Sequence, residues 1–330
     1  MESETQAQLI QNNQEGVQSQ PSSKQPSGPI FTPFIWKFLS VISWILLLIT
    51  SIIGYIQDTT FFCIHNKIKY SVSAYVQQLD LDIYYPISIK LDSLQTFFII
   101  LLSYGFFNFA YFGLYKKDEM IINPMFNKFS NFHFIPLLLI SLINILMQDT
   151  YHNANLSDIK GHLILDLIFT MTALGFLILI YFKTEFVHDW FIVLTIKKGV
   201  FSFLIIILWY NFFYVSELLA INNADIDKIY DVLKASGITC AIFIGIGSLI
   251  FSFIFKDLIA ALTNLLIYIG MVNSFFGYEG KSTIQKEEAG GVGDGVVEII
   301  IMILNLSFIA FFIYKHSDKI TNNKYSFNFS

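Results

Sequence analysis

The chain has 330 residues, of which 55% are apolar and 14% charged, with mean hydropathy +0.59 and a net charge of −5. A soluble domain carries about 25% charged residues, and a nucleic-acid partner needs a basic face. Composition therefore argues against both a soluble globular fold and nucleic-acid binding. It points to an all-α integral membrane protein whose first partner is the lipid bilayer. Every basic residue is Lys, so orientation has to be read from Lys alone.

Residues 1–29 are rich in Gln, Ser and Pro with little apolar content, the signature of a disordered tail. They hold neither a basic stretch followed by an apolar core nor a basic amphipathic signal. The first apolar run, Phe34–Ile56, is then expected to double as the membrane-targeting signal. A polar stretch, 57–90, leads to a second predicted crossing at Leu91–Tyr115. The third is expected at Phe132–Met147 and the fourth at His162–Phe182, joined by a polar loop that carries the sequon Asn155-Leu156-Ser157, a glycosylation candidate. Further runs at Gly199–Leu219, Gly237–Phe255, Leu258–Gly277 and Val296–Tyr314 bring the expectation to about eight crossings. Only Lys256-Asp257 separates the sixth from the seventh. A single helix over both would be about 60 Å long, twice the bilayer core, so a tight hairpin is predicted, with a re-entrant pair as the alternative. Gln285–Gly295 reads as a flexible glycine-rich loop and 315–330 as a polar tail.

Part of the chain is written twice. Ile30–Thr59 aligns without a gap on Ile121–Thr150, with twelve identities in thirty positions. They include Pro33/Pro124, Lys37-Phe38/Lys128-Phe129, Leu46–Ile49/Leu137–Ile140 and Gln57-Asp58-Thr59/Gln148-Asp149-Thr150. The plan this implies is a set of tandem helical hairpins in a parallel internal repeat. The first unit covers 30–120 and the second 121–198; diverged third and fourth hairpins cover 199–257 and 258–314. With eight crossings, twelve lysines fall on the side of the N-terminus and eight on the other. By the positive-inside rule both termini are expected on the inner side, with Asn155 outside.

Acidic residues recur at one predicted level: Asp58, Asp92 and Asp149 as an outer rim, with Glu217 beside them. Carboxylates around a mouth concentrate cations, although an Asp at a helix start equally caps free N–H groups. Asp166 falls within an apolar run, where an ionisable group is costly and commonly functional. With Asn144, Asn211 and Glu217 it is the candidate lining of an ion or solute path. Those amides serve helix packing equally well. Gly237, Ala241 and Gly245, four apart, form a small-residue stripe that lets another helix approach closely. The six histidines make no i, i+4 pair or Cys/His cluster, and Cys63 and Cys240 make no disulfide framework. With no phosphate loop and no nucleophile elbow either, no catalytic site, metal or cofactor is expected. Two function classes remain: a transporter or channel, and a structural or accessory subunit of a larger membrane protein assembly.

Overall fold

The computed structural model describes residues 33–56, 99–100, 102–103, 134–152, 156–183, 199–223, 228–277 and 291–322. Among the described residues the regular structure is helical throughout, in seven helices. These are α1 (Pro33–Ile56), α2 (Phe134–His152), α3 (Leu156–Lys183), α4 (Gly199–Asn223), α5 (Ile229–Phe255), α6 (Leu258–Gly277) and α7 (Gly291–Asn322). Four contain apolar stretches long enough to cross a bilayer: Lys160–Phe182, Phe201–Ala220, Ala235–Phe255 and Gly295–Lys315. Their length and apolarity are those of a membrane-embedded protein. The stretches Phe38–Gly54, Phe134–Leu146 and Leu258–Val272 are shorter. At 1.5 Å per residue they reach roughly 20–25 Å, less than the bilayer core of about 30 Å. The expected second crossing, Leu91–Tyr115, lies almost wholly outside the described residues.

Three expected loops are helical instead. Helix α2 continues through Gln148-Asp149-Thr150, α3 already begins at Leu156 inside the sequon, and α7 begins at Gly291. Propagating an existing helix adds one backbone hydrogen bond per residue fixed. That gain carries the helices past the apolar boundary and through glycines that read locally as a loop.

Helix α1 packs on α2, α2 on α3 and α3 on α4; α4 also meets α5 and α6, and α5, α6 and α7 pack on one another. The centre is α4. Its run Phe201–Leu208 is buried at every position, as a helix apolar on all sides should be. Interhelical bonds fix the directions. On α3 and α4, Asp166 meets Asn211, while Tyr181 and Ser202 share Asp257, so these helices are antiparallel. Trp209 bonds Phe243 and Ser236 bonds Glu217, so α4 and α5 are antiparallel too. The pairs Tyr268–Ala241 and Asn264–Asn305 place α6 antiparallel to both α5 and α7.

The predicted fold-back at Lys256-Asp257 is present. Lys256 adopts the left-handed conformation at φ 51°, and its N–H and that of Asp257 bond back to Phe253 O and Ser252 O. This is a helix stop usually given to Gly, and a Lys there costs about 1–2 kcal/mol. Asp257 then caps α6, its Oδ1 accepting the N–H of Ala260 at 3.1 Å.

The duplicated residues do not share an environment. Leu46, Ile49 and Ile52 of α1 are 38%, 46% and 42% exposed, whereas their counterparts Leu137, Ile140 and Ile143 of α2 are at most 1% exposed. Among the described helices, α2 lies between α1 and α3, while α1 stands at the end of the row. Neighbours decide burial, not residue identity.

Candidate functional site

Asp166 lies ten residues into α3, nearly three turns from its start, and is 1% exposed. Helix periodicity brings Thr170 onto the same face one turn later, and α4 presents Asn211. The Thr170 hydroxyl donates to Asp166 Oδ1 at 2.9 Å. Asn211 Nδ2 donates to the same oxygen at 2.9 Å and to Thr170 Oγ1 at 2.8 Å. Asp166 Oδ2 has no hydrogen-bond partner among the described residues. Two donors thus fix one carboxyl oxygen and leave the other, in a dry interior, to hold a proton or meet a cation. Of the expected path residues, Asp166 and Asn211 are brought together. Asn144 is not part of this cluster: its amide donates to Thr50 at 3.3 Å and Ser51 at 3.2 Å, between α1 and α2. Gln148 reinforces that seam with a bond to Thr50 O at 3.2 Å.

A second group of ionisable side chains fills the junction of α4, α5, α6 and α7. Glu217, 1% exposed, accepts a hydrogen bond from Ser236 of α5 at 3.4 Å. Glu298, at the start of the α7 apolar stretch, is fully buried. Its place near the end of an apolar run gives no sign that it is turned into the bundle. Glu298, Ile301, Asn305, Ile309 and Phe312 recur at helical spacing and are all buried, so Glu298 belongs to the inward stripe of α7. Tyr210 lies in the electrostatic field of both Glu217 and Glu298, and Tyr268 in that of Glu298. The Tyr210 and Tyr214 rings stack at 5.8 Å. Two carboxyls and three phenols therefore share a region with little water to solvate a charge. Among the described residues, no group of three or more His, Cys, Asp or Glu has metal-binding geometry.

Asp257 is a fourth buried carboxyl, which the sequence marks only as a hairpin separator. Beyond capping α6, its Oδ2 accepts hydrogen bonds from Tyr181 of α3 at 2.5 Å and from Ser202 of α4. One side chain thereby ties α3, α4 and the α5–α6 turn together. The aromatic rings of Tyr181, Phe251 and Phe255 close over it, with centroids 4.8–5.1 Å apart. The cap could have been read from an Asp directly before an apolar run; its two cross-helix partners could not.

The small-residue stripe lies on a contact. Gly237, Ala241 and Gly245 are buried, Ala241 O accepts the Tyr268 hydroxyl, and a Cβ on Gly245 would stand 2.5 Å from Ile301 Cγ2. Asp58, Asp92 and Asn155 fall outside the described residues. Asp149 is in α2, but its side chain is outside the described set. No protein family, curated protein or solved structure matches the chain. The site has to be read on its own geometry.

Proposed function

We propose that this is a multi-pass membrane protein without enzymatic activity, and that its bundle passes a proton or small cation by way of Asp166. The observation that carries the reading is the Asp166 carboxyl, buried in a spanning stretch with one oxygen fixed by Thr170 and Asn211. An ionisable group at such a place is costly, roughly 2.5–3.5 kcal/mol at mid-membrane, and a purely packed helix would be more stable without it. The onward route leads across α4. Asn211 and Tyr210 are adjacent residues about 100° apart around the helix, so α4 meets Asp166 through Asn211 on one face and the Glu217–Glu298 group through Tyr210 on a neighbouring face. The fuller plan has about eight crossings in tandem hairpins, both termini on the inner side and the outer rim at Asp58, Asp92 and Asp149. Lys183, Lys256 and Lys315 all stand at the C-terminal ends of the apolar stretches of α3, α5 and α7, which supports that orientation.

A second reading, an accessory or scaffold subunit, is favoured by the static seams between helices. Asn144 on Thr50 and Ser51, Asn264 on Asn305 at 3.0 Å and the Asp257 clamp tie neighbouring helices together. Vesicles containing the lone chain, loaded with a pH-sensitive dye and driven by a potassium diffusion potential, separate the two. The transport reading expects proton or cation flux above empty vesicles. The scaffold reading expects none, and stoichiometric co-purification with other membrane proteins.

A further inference from the structure

Helices α5 and α7 run in the same direction, Gly245 lying beside Ile301 and Phe253 beside Phe308, the latter rings 6.2 Å apart. Between them on the outer face is a groove of about 290 Å³ lined by Leu249, Ile250, Phe253, Ile254 and Phe308. Ile250, Phe253 and Ile254 are more than half exposed. In a spanning bundle this face meets lipid.

The end of the groove is what distinguishes it from ordinary lipid-facing surface. On α5, Leu249 and Phe253 follow at i and i+4, and Lys256 is the left-handed residue that ends the helix; on α7, Phe308, Phe311 and Lys315 follow at i, i+3 and i+7. Each apolar stripe is followed by an exposed lysine at the same end of the bundle. A lysine at the end of an apolar stretch ordinarily reaches away toward water. Lys315 instead lies back over Phe311, its Nζ 5.8 Å from the ring centroid. That holds its charge near the level of residue 311, about 4.5 Å beyond Phe308. The neighbouring carboxyl, Asp257, is turned inward onto Tyr181, Ser202 and the Ala260 N–H. Lys256 is left facing outward beside it.

We propose that this groove binds one anionic phospholipid. An acyl chain lies along Leu249–Ile254 and Phe308, and the headgroup phosphate accepts hydrogen bonds from Lys256 and Lys315. Basic groups between helices at a membrane surface recognise acidic headgroups in this way, and the apolar groove supplies the contact that a free phosphate would lack. The site is independent of Asp166 and of any transport.

Native mass spectrometry of the full, delipidated chain, titrated with phosphatidylglycerol and with phosphatidylcholine of equal chain length, is the test. Each lysine near an acidic headgroup favours it about fivefold, so the wild type should prefer phosphatidylglycerol by roughly 25-fold. K256Q/K315Q should bind the two lipids equally, K256R/K315R should keep the preference, and I250W, which fills the groove, should bind both weakly. Melting temperatures within a few degrees of wild type establish that the variants are folded. Equal binding of the two lipids by wild type would overturn the proposal. So would a preference that survives K256Q/K315Q, or a dimer with its groove closed to lipid.

Discussion

Gly245→Ala is the smallest change that tests how α5, α6 and α7 pack. A methyl at this position meets Ile301 Cγ2 at 2.5 Å, the Tyr268 hydroxyl oxygen at 2.6 Å and Ile301 Cδ1 at 2.8 Å. Neither neighbour has room to move: Ile301 is 5% exposed, Tyr268 is fully buried, and the Tyr268 hydroxyl is held by Ala241 O. Overpacking of this kind costs about 1–3 kcal/mol, and separating the phenol from its acceptor adds about 1–3 kcal/mol. Better helix propensity returns about 1 kcal/mol. The net is a loss of roughly 1–5 kcal/mol. Gly175→Ala is the control. Gly175 is exposed on α3 with nothing within 4 Å of a built Cβ, so only the propensity gain remains. Thermal unfolding of the full chain in detergent should move the two variants in opposite directions. Gly245→Leu should fall further still, well below Leu249→Ala at the half-exposed groove. A Gly245→Ala protein that melts at or above wild type would refute the packing argument.

Asp257→Ala should lower the melting temperature more than Tyr181→Phe, because it removes two cross-helix hydrogen bonds and the α6 cap at once. The double variant should be no worse than Asp257→Ala alone, and additive losses would mean that the Tyr181 bond contributes through some other group. Asn264→Leu should cost a modest amount, about 0.6–1.7 kcal/mol, as interhelical amides do in membranes; an unchanged melting curve would show that its 3.0 Å bond to Asn305 contributes nothing. Fluorescent or enzymatic reporters at the two termini should report the same side of the membrane; opposite sides would sink the even number of crossings.

Helix positions were legible in the sequence because twenty-residue apolar runs have one common meaning. The turn at Lys256-Asp257 was legible because a straight helix over both runs is too long for a bilayer. Asp166 was legible from a charge inside an apolar run, and its partner Asn211 from an amide in the next described helix. The orientation of each helix about its own axis was much harder to see. When nearly every residue is apolar, the contrast between faces that marks an inward stripe is weak, and the inward turn of Glu298 left no signal. The central position of α4 left a trace, the unbroken run Phe201–Leu208, but no sequence signal said which helices surround it. The duplication Ile30–Thr59/Ile121–Thr150 was plain in the residues, yet it did not carry over to packing. Leu46, Ile49 and Ile52 end outward in α1 while the same residues turn inward in α2.

The most direct test of the central claim is cation and proton flux into proteoliposomes for wild type and Asp166→Asn, measured side by side. The amide keeps an acceptor for Thr170 and Asn211 and removes a carboxyl whose burial is expensive, so the variant should melt no lower than wild type. Flux above empty vesicles in wild type, reduced at least about tenfold in the equally stable variant, is the predicted result, general acid–base and ion-relay groups contributing factors of this order or more. Wild type with no flux for any cation tried, or flux unchanged by Asp166→Asn, would contradict it.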